Sequence, residues 1–292
     1  MKKAFTNREL FFLAKNKVKN SNSNISDNEI YLLLEYVNNY QNYTEIVLNF
    51  DKICKNCRVF DDLLDEVISG KPIQYVLKQA QFLDFNFYVD ESVLIPRPET
   101  EGLVLKTISY INSLNLNHDN IADVCTGSGA IAISLKHKFC ESKVFASDIH
   151  KRCLNVARKN ADKYNQKIIF FEGDKLNPFI NNNLKLDVLV SNPPYVENVD
   201  DIEEKVLKYE PNDAVYIKDG TEFYEEFFKC RKDVLNMRFF MAFEINYDQE
   251  RKLTELIKKY FDKNVRYKFE KDIYNLTRYL FILGGYEDKI IN

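Results

Sequence analysis

Residues 121–133 read Ile-Ala-Asp-Val-Cys-Thr-Gly-Ser-Gly-Ala-Ile-Ala-Ile, an apolar run, two glycines and a second apolar run. This order predicts a β-strand, a tight turn and the start of a helix, since glycine lets the backbone turn sharply beside a ligand. Only eight glycines occur in 292 residues, so the positions of Gly127 and Gly129 are informative. A dinucleotide fingerprint, G-x-G-x-x-G, has its third glycine replaced by Ala132. The turn alone therefore predicts either a ligand site or a simple strand-to-helix connection.

The remainder of the C-terminal part continues this alternation of short apolar runs and amphipathic stretches. The apolar runs predict strands at 121–125, 144–147, 168–171, 186–190, 239–245, 265–270 and 278–283. The amphipathic stretches predict helices at 130–139, 150–164 and 221–234. Such alternation builds a parallel sheet with helices on both faces, and the last two strands predict an antiparallel hairpin at its edge. The predicted fold class is α/β, with a seven-stranded, mostly parallel, Rossmann-like sheet.

Residues 1–72, which precede this sheet in the sequence, predict a small helical domain. The segment Ser26-Asp-Asn-Glu29 is a capping box that begins a helix. A further apolar helical face is formed by Leu10, Phe11, Leu13 and Val18. Gly70-Lys-Pro72 ends the helical pattern, and the aromatic and β-branched residues that follow predict a β-hairpin linker over 73–95. The sheet domain is predicted over 96–292.

An acidic residue follows the predicted strand 144–147. Asp148 lies nineteen residues after Gly129, where a carboxylate can accept hydrogen bonds from both hydroxyls of a ribose. Aspartate is also a common helix cap, so this residue alone allows either interpretation. His150 is interpreted as a surface residue in the first turn of the next helix.

The segment Leu186-Asp-Val-Leu-Val-Ser-Asn-Pro-Pro-Tyr195 ends an apolar strand in an NPPY motif. Consecutive prolines cannot continue a parallel ladder, so they fix a rigid turn at the carboxyl edge, where open α/β sheets bind ligands. Asn192 offers a side-chain oxygen there, Pro193 offers a backbone carbonyl, and Tyr195 adds a flat apolar wall. An ordinary loop is the alternative, but its position after the glycine turn and the acid argues against it.

Taken together, these residues resemble a class I S-adenosylmethionine-dependent methyltransferase. The NPPY form is typical of the branch that methylates planar nitrogens, either exocyclic amines of bases or side-chain amides. Other segments resemble the protein-(glutamine-N5) methyltransferases that act on peptide chain release factors, namely Gly70-Lys-Pro-Ile-Gln-Tyr75, Val93-Leu-Ile-Pro-Arg-Pro-Glu-Thr-Glu101 and Glu210-Pro-Asn212. This likeness covers nearly the whole chain. It implies methylation of the glutamine amide N5 in the Gly-Gly-Gln motif of release factors, a protein methylation that supports translation termination.

The resemblance also implies a site for S-adenosyl-L-methionine, which leaves as S-adenosyl-L-homocysteine. The turn would hold the methionine portion of the cofactor, Asp148 its ribose, and the pair after Gly173 its adenine. The implied cofactor-binding residues are Cys125, Thr126, Gly127, Ser128, Gly129, Asp148, Asp174, Lys175 and Asn192. Cys125 stands where the family usually has glycine, and Lys175 where an aromatic residue is sometimes seen.

By the same resemblance, the catalytic and substrate-binding residues are Asn192, Pro193, Pro194 and Tyr195. Asn192 Oδ1 and the Pro193 carbonyl would accept both amide hydrogens, and Tyr195 would pack against the amide plane. Arg97 and Glu99 are expected to bind the substrate by ordering the loop that closes the site, with a salt-bridged linker as the alternative. For the N-terminal helices we favour docking of the protein substrate over a purely stabilising role.

Three other functions stay open. The first is a glutamine methyltransferase of a ribosomal protein, whose sequence after the Pro-Arg pair differs from that after Pro96-Arg97 here. The second is a nucleic-acid amino-methyltransferase, which shares NPPY and would flip a base into the pocket. The nucleic-acid enzyme needs a basic face, which the acidic stretch 197–204 does not support. A non-catalytic binding module with the same fold is disfavoured by the intact NPPY motif beside Asp148.

Composition sets the remaining expectations. There are 41 Lys and Arg residues against 44 Asp and Glu, a net charge of −3, which argues against sequence-blind nucleic-acid binding. Cys54 and Cys57 have the spacing of a zinc knuckle without a second pair, so we expect free thiols and no metal site. No stretch approaches the ~20 apolar residues of a membrane span. A cytoplasmic monomer is expected, with release factors as partners and neither membrane nor nucleic acid bound.

Overall fold

The computed structural model describes residues 4–21, 23–218, 220–286 and 289. The chain divides into two compact units, Met1–Gln79 and Ala80–Asn292. The helices of the first unit are α1 (Asn7–Asn20), α2 (Asp27–Asn38), α3 (Tyr43–Leu48), α4 (Cys57–Ile68) and α5 (Ile73–Leu77). Residues 73–77, which the sequence placed in the hairpin linker, thus form a helix instead. They do so because Ile73, Val76 and Leu77 pack into the apolar core of the first unit.

Local sequence signals explain where the helices of the first unit begin. Ser26 caps α2 as predicted, since its side chain accepts a hydrogen bond from the Glu29 amide and Glu29 bonds back to the cap. Leu13, predicted on the buried face of α1, is 48% exposed instead. The buried stripe runs through Asn7, Phe11, Ala14 and Val18 with Leu10 beside them, and Leu13 lies on the other side of Leu10, toward solvent.

The second unit contains two sheets. A small antiparallel sheet consists of β1 (Ala80–Phe82) and β2 (Phe85–Phe87). The large sheet consists of β3 (Asn120–Val124), β4 (Lys143–Asp148), β5 (Ile168–Glu172), β6 (Leu186–Ser191), β7 (Leu235–Glu244), β8 (Arg266–Lys271) and β9 (Thr277–Gly284). Its order is β5-β4-β3-β6-β7-β9-β8. The first five strands of this order are parallel to one another, and β9 pairs antiparallel with both β7 and β8. The predicted α/β fold with an antiparallel edge hairpin is confirmed.

Helices alternate with most strands of the large sheet, as is usual for parallel strands. They are α6 (Pro98–Ser113), α7 (Ala130–Lys138), α8 (Lys151–Lys163), α9 (Asn177–Asn181), α10 (Glu204–Tyr209), α11 (Glu222–Val234) and α12 (Glu250–Tyr260). Short 3₁₀ turns occur at Val199–Asp201 and Asn212–Ala214. Within the described part of the chain, no helix has both the length and the apolar character needed to cross a bilayer.

Helix α6 was not predicted, because its buried face contains the polar residues Thr100 and Thr107 among apolar ones. Pro98 begins the helix, where its fixed φ suits the first turn. The helix packs closely on β9: a Cβ atom on Gly102 would lie 2.1 Å from Tyr279 Oη. Tyr279 Oη also donates a hydrogen bond to the Glu99 carbonyl at 2.8 Å, so the start of α6 is fixed on the sheet.

The strand order creates a crevice at the carboxyl edge of the large sheet. Strand β3 has β4 on one side and β6 on the other, so the chain changes its winding direction between β3 and β6. Ligands of open α/β sheets bind at such a switch point. The ends of β3, β4, β6 and β7 all reach this edge and carry Val124, Asp148, Ser191 and Glu244.

Replacing Thr107 with valine should stabilise the protein. Among the described residues, the fully buried Thr107 Oγ1 has no hydrogen-bond partner. A buried hydroxyl without a partner loses its hydration without compensation, so Thr107→Val should raise the free energy of unfolding by about 1 kcal/mol. Urea denaturation monitored by circular dichroism measures this change, and a lower midpoint in the variant would contradict it.

Candidate active site

A first cavity of about 360 Å³ opens at the carboxyl ends of β3 and β4. Its wall combines both strand ends with the loops after β5 and β6 and the start of α11. The lining residues are Leu94, Val124, Cys125, Gly127, Ser147, Asp148, Ile149, His150, Cys153, Gly173, Asp174, Lys175, Asn192, Pro194, Pro211, Asp213, Ala214, Ile217 and Phe223. The structure therefore brings together the predicted acid, part of the glycine turn, the pair 174–175 and Asn192.

The turn after β3 has a left-handed backbone at two positions that line the cavity, Cys125 with φ +62° and Gly127 with φ +53°. A Cβ atom on Gly127 would meet nothing within 4 Å, so this residue faces open space. The left-handed conformation costs an L-residue about 1–2 kcal/mol, so a glycine would adopt the backbone of Cys125 with less strain.

The other three residues of the predicted turn lie behind the cavity wall. Thr126 Oγ1 donates to Asp123 at 2.6 Å, and the Ser128 carbonyl accepts from the Asn160 side chain at 2.9 Å. Gly129 begins α7 and packs against Ala157, whose Cβ would lie 3.2 Å from a Cβ on Gly129. Thr126, Ser128 and Gly129 thus shape the turn rather than line the cavity.

Asp148 connects the turn to the next helix. Its Oδ2 accepts a hydrogen bond from the Gly127 amide and its Oδ1 one from the His150 amide, each at 3.0 Å. Burial raises the pKa of this carboxyl above its ordinary value, although both backbone donors favour the ionised form. The Cys153 thiol also contacts this carboxylate. The remaining lone pairs of the carboxylate can accept further hydrogen bonds from a ligand.

Asp123, at the base of the turn, is a further acid that was not predicted to belong to the site. Its Oδ2 accepts hydrogen bonds from Thr126 Oγ1 and, at 3.1 Å, from the Ala132 amide. Its Oδ1 has no partner among the described residues, and the side chain is fully buried. Burial raises the pKa of Asp123 to about 7. An acid within an apolar strand that leads into a glycine turn was the signal available in the sequence.

The far wall of the first cavity differs from the sequence prediction. His150 caps α8 and lines the cavity, with Nε2 2.5 Å from Asp213 Oδ2, so it is not simply a surface residue. The Lys175 amino group bonds to Glu226 and lies 5.7 Å from the centre of the Phe223 ring. Phe223, buried at the start of α11, therefore provides an aromatic face that the sequence pattern did not locate.

A second cavity, of about 420 Å³, lies beside the first. Its lining residues are Leu94, Arg97, Pro98, Glu99, Asn192, Pro193, Pro194, Tyr195, Val196, Ile202, Glu203, Val206, Ala214, Val215, Glu244 and Tyr274. All four residues of the NPPY motif belong to this set, together with Arg97 and Glu99. Leu94, Asn192, Pro194 and Ala214 line both cavities and form the wall between them.

A chain of hydrogen bonds runs from the shared wall to the end of β7. Asn192 Nδ2 donates to Thr100 Oγ1 at 3.0 Å, and Thr100 Oγ1 donates to Glu244 Oε2 at 2.8 Å. Tyr195 Oη donates to Glu244 Oε1 at 2.9 Å. Neither Thr100 nor Glu244 was proposed as a site residue from the sequence. Thr100 lies within the quoted 93–101 segment, and Glu244 ends a strand at the ligand-binding edge.

Arg97 pairs with Glu210 rather than with its neighbour Glu99. The Arg97 guanidinium lies 2.5 Å from Glu210 Oε1, and Glu210 Oε2 accepts a hydrogen bond from the Ile95 amide at 3.1 Å. The Glu210 side chain is almost completely buried. This contact joins the 93–101 segment, which lines the second cavity, to Glu210-Pro-Asn212, of which Pro211 lines the first cavity. Among the described residues, no cluster of three or more metal-ligating side chains occurs.

The fold is shared with methyltransferases. Residues 105–211 match the family model of the methyltransferase small domain. The fold is similar to that of the 16S rRNA N2 G1207 methyltransferase of Thermus thermophilus, whose structure contains AdoMet and guanosine. That likeness has a TM-score of 0.52 at 14% identity and covers 71% of this chain and 50% of the other.

Sequence relatives narrow the class. The release factor glutamine methyltransferase of Flavobacterium psychrophilum is 36% identical over 255 residues, which cover 85% of this chain and 88% of the relative. The enzyme of that name from Mycoplasma mycoides is 31% identical over 276 residues, which cover 91% and 96%. The chain therefore belongs to the release factor glutamine methyltransferase family, and the resemblance inferred from its motifs is confirmed.

The buried Asp123 should make stability depend on pH. The folded-state pKa of about 7 exceeds the ordinary value of 3.8, so the native protein binds a proton more tightly than the unfolded chain does. Its contribution to stability is full below about pH 4 and is lost as pH rises through 7. The amide of Asp123→Asn can accept the same two hydrogen bonds but does not titrate. As pH rises from 4 to 8, the free energy of unfolding of the wild type should therefore fall by about 4 kcal/mol relative to that of Asp123→Asn. Urea unfolding across this range measures the difference, and parallel pH profiles would contradict the prediction.

Proposed function

We propose that the chain transfers a methyl group from S-adenosylmethionine to the side-chain amide nitrogen of the glutamine in the Gly-Gly-Gln motif of peptide chain release factors. The observation that carries this proposal is the position of Asn192 in the wall shared by the two cavities. A residue there contacts both a cofactor in the first cavity and a side chain in the second. The names of the curated relatives support release factors as the substrate class.

The residues of the first cavity fit S-adenosylmethionine, which bears a sulfonium, an ammonium group, a ribose and an adenine. Gly127 leaves open space beside the turn, and Asp148 keeps lone pairs for ribose hydroxyls. Asp174 adds an acidic group to the wall, and Phe223 offers an aromatic face for the adenine ring. When bound, this cofactor supplies an electrophilic methyl group on the sulfonium.

In the second cavity, the chain's own residues must compensate for a poor nucleophile. The lone pair of an amide nitrogen is delocalised into its carbonyl. Asn192 Oδ1 and the Pro193 carbonyl accept the two amide hydrogens, which orients the nitrogen toward the first cavity and stabilises positive charge as it develops. Alignment of this kind contributes up to roughly 7–11 kcal/mol. The ring of Tyr195 packs beside the amide plane, and the proton leaves for water after the transfer.

The side-chain placement of Arg97 and Glu99 supports a role in substrate binding. Both line the second cavity, and the Arg97–Glu210 pair holds their segment in place. For the first unit, docking of the release factor stays a prediction. Large apolar side chains on its surface, among them Phe12, Val47 and Leu48, are more than half exposed, which is consistent with a protein-binding face.

Asn192→Ala tests the proposed chemistry. A release factor incubated with the wild type and S-adenosylmethionine should gain one methyl group on the glutamine of its Gly-Gly-Gln motif, detected by peptide mass spectrometry. Loss of the acceptor oxygen should lower the rate by about 10²–10³-fold, as for other preorganised transition-state contacts. An unchanged unfolding temperature provides the folding control. No methylation by a wild type that binds the cofactor would refute the release-factor assignment, and ribosomal proteins would be tested next.

Asp148→Asn tests the cofactor site. The side-chain amide in this variant keeps only one acceptor oxygen, and its NH₂ group faces a backbone N–H that then has no acceptor. The hydrogen bonds that hold the turn and those expected to the ribose should both weaken. We expect affinity for S-adenosylmethionine to fall at least about tenfold, a cost of about 1.4 kcal/mol. Isothermal titration calorimetry measures it. Asp162→Asn, the same charge change at an exposed position of α8, is the matched control and should bind like the wild type.

A further inference from the structure

Glu244 lies directly behind the proposed substrate site. It is the last residue of β7, whose Phe243 pairs with Ser191 of β6, so Glu244 and Asn192 leave neighbouring strands at the same edge. The Glu244 side chain is buried, with 1% of the residue exposed. Its two oxygens accept the hydroxyl hydrogens of Thr100 and Tyr195, and its backbone carbonyl accepts that of Tyr224 at 2.8 Å.

The number of available hydrogens fixes the direction of this chain. An ionised carboxylate only accepts hydrogen bonds, and a hydroxyl has a single hydrogen to donate. Because Thr100 donates its hydrogen to Glu244, its oxygen can only accept from Asn192. The Asn192 amide must therefore direct its NH₂ group to Thr100, which leaves Oδ1 for the cavity. Rotating the amide by 180° would place two acceptor oxygens, those of Asn192 and Thr100, against each other.

Charged and titratable groups from several neighbouring elements surround the carboxylate. Arg278 and Tyr279 approach from β9, Glu99 from α6, Tyr195 from the loop after β6 and Tyr224 from α11. Burial and the nearby Glu99 raise the pKa of Glu244 above its ordinary value, whereas Arg278 and the two hydroxyl donors favour the ionised form. Arg278 is held in turn by Asp272, with Nε 3.2 Å from Oδ2.

We propose that Glu244 and Thr100 are positioning residues that lock the Asn192 amide with its oxygen toward the substrate. The inference rests on the proposed function, since a glutamine NH₂ group needs acceptors and an Asn192 turned the other way would present a donor. Protonation of Glu244, or loss of the Thr100 hydroxyl, removes the constraint. The amide is then free to rotate, and the nitrogen to be methylated loses one of its two acceptors.

The test compares the wild type with Glu244→Gln, Thr100→Val and Thr100→Ser in the full chain. Thr107→Val is the matched control, because it makes the same change at a buried position of the same helix whose hydroxyl has no partner among the described residues. We measure kcat and KM with a glutamine peptide of a release-factor loop, the pH profile of kcat, and cofactor affinity by calorimetry.

Thr100→Val and Glu244→Gln should lower kcat by about 100-fold while cofactor affinity stays near that of the wild type. Thr100→Ser, which keeps the hydroxyl, should recover most of the rate. The wild-type rate should fall as pH drops through the pKa of Glu244, and Glu244→Gln should lack this acidic limb. An intact rate in both disruptive variants, or equal losses in Thr100→Ser and Thr100→Val, would overturn the proposal.

A second measurement requires no substrate and so separates this inference from the proposed function. In protein labelled with ¹⁵N-asparagine, the Asn192 amide signals are assigned by their absence from Asn192→Asp. One of the two hydrogens should exchange slowly with solvent in the wild type and in Thr107→Val, and quickly in Thr100→Val and Glu244→Gln. A wild type that shows this protection without methylating a release factor would support the lock and refute the substrate. Equal exchange in all four proteins would refute the lock.

Discussion

Parallel strands run in the same direction, so their carboxyl ends lie at the same edge of the sheet. This constraint determines where the site residues of the chain are located. Because β4 and β6 lie on opposite sides of β3, the loops that leave these strands diverge and open a crevice between them. Asp148, Asn192 and Glu244 leave three different strands, yet they reach the same crevice. The two cavities are consequences of this arrangement, one at the ends of β3 and β4 and one beside the loop after β6.

Three buried acids lie near this edge and are contacted by hydrogen-bond donors rather than by direct ion pairs, although Asp123 Oδ1 has no partner among the described residues. Asp148 accepts two backbone N–H groups, Asp123 a hydroxyl and an N–H group, and Glu244 two hydroxyls. Such donors are directional, so each carboxylate fixes the orientation of the group that contacts it. Burial raises the pKa of all three acids, which makes the geometry of the edge sensitive to protonation.

Much of the fold and part of the candidate site could be predicted from the sequence. The central strands of the large sheet were recognisable because apolar runs such as β3 and β6 are buried on both faces, whereas the edge strands β5 and β8 are only partly buried. The NPPY motif was recognisable because consecutive prolines must end a strand. Helix α6 was missed, since two of its buried positions are threonines that a hydropathy pattern counts as polar. Glu244 and Asp123 were missed for a related reason, since a single acid in an apolar run can be assigned a role only from its hydrogen-bond partners. Thr100, the partner of Glu244, is distant in sequence, and Ala132 is brought to Asp123 only by the turn. Phe223 was also missed, because the packing of α11 brings it to the first cavity and no local sequence pattern marks it.

The wall shared by the two cavities has a thermodynamic consequence. Asn192 and Pro194 line both cavities, and the two prolines leave this segment little freedom to absorb a displacement. Occupancy of one side that shifts the wall must alter affinity on the other, and reciprocity requires that the effect be equal in both directions. Under the proposed function, the binding of cofactor and of substrate is therefore linked through a wall only a few residues thick, and this linkage requires no movement of the sheet.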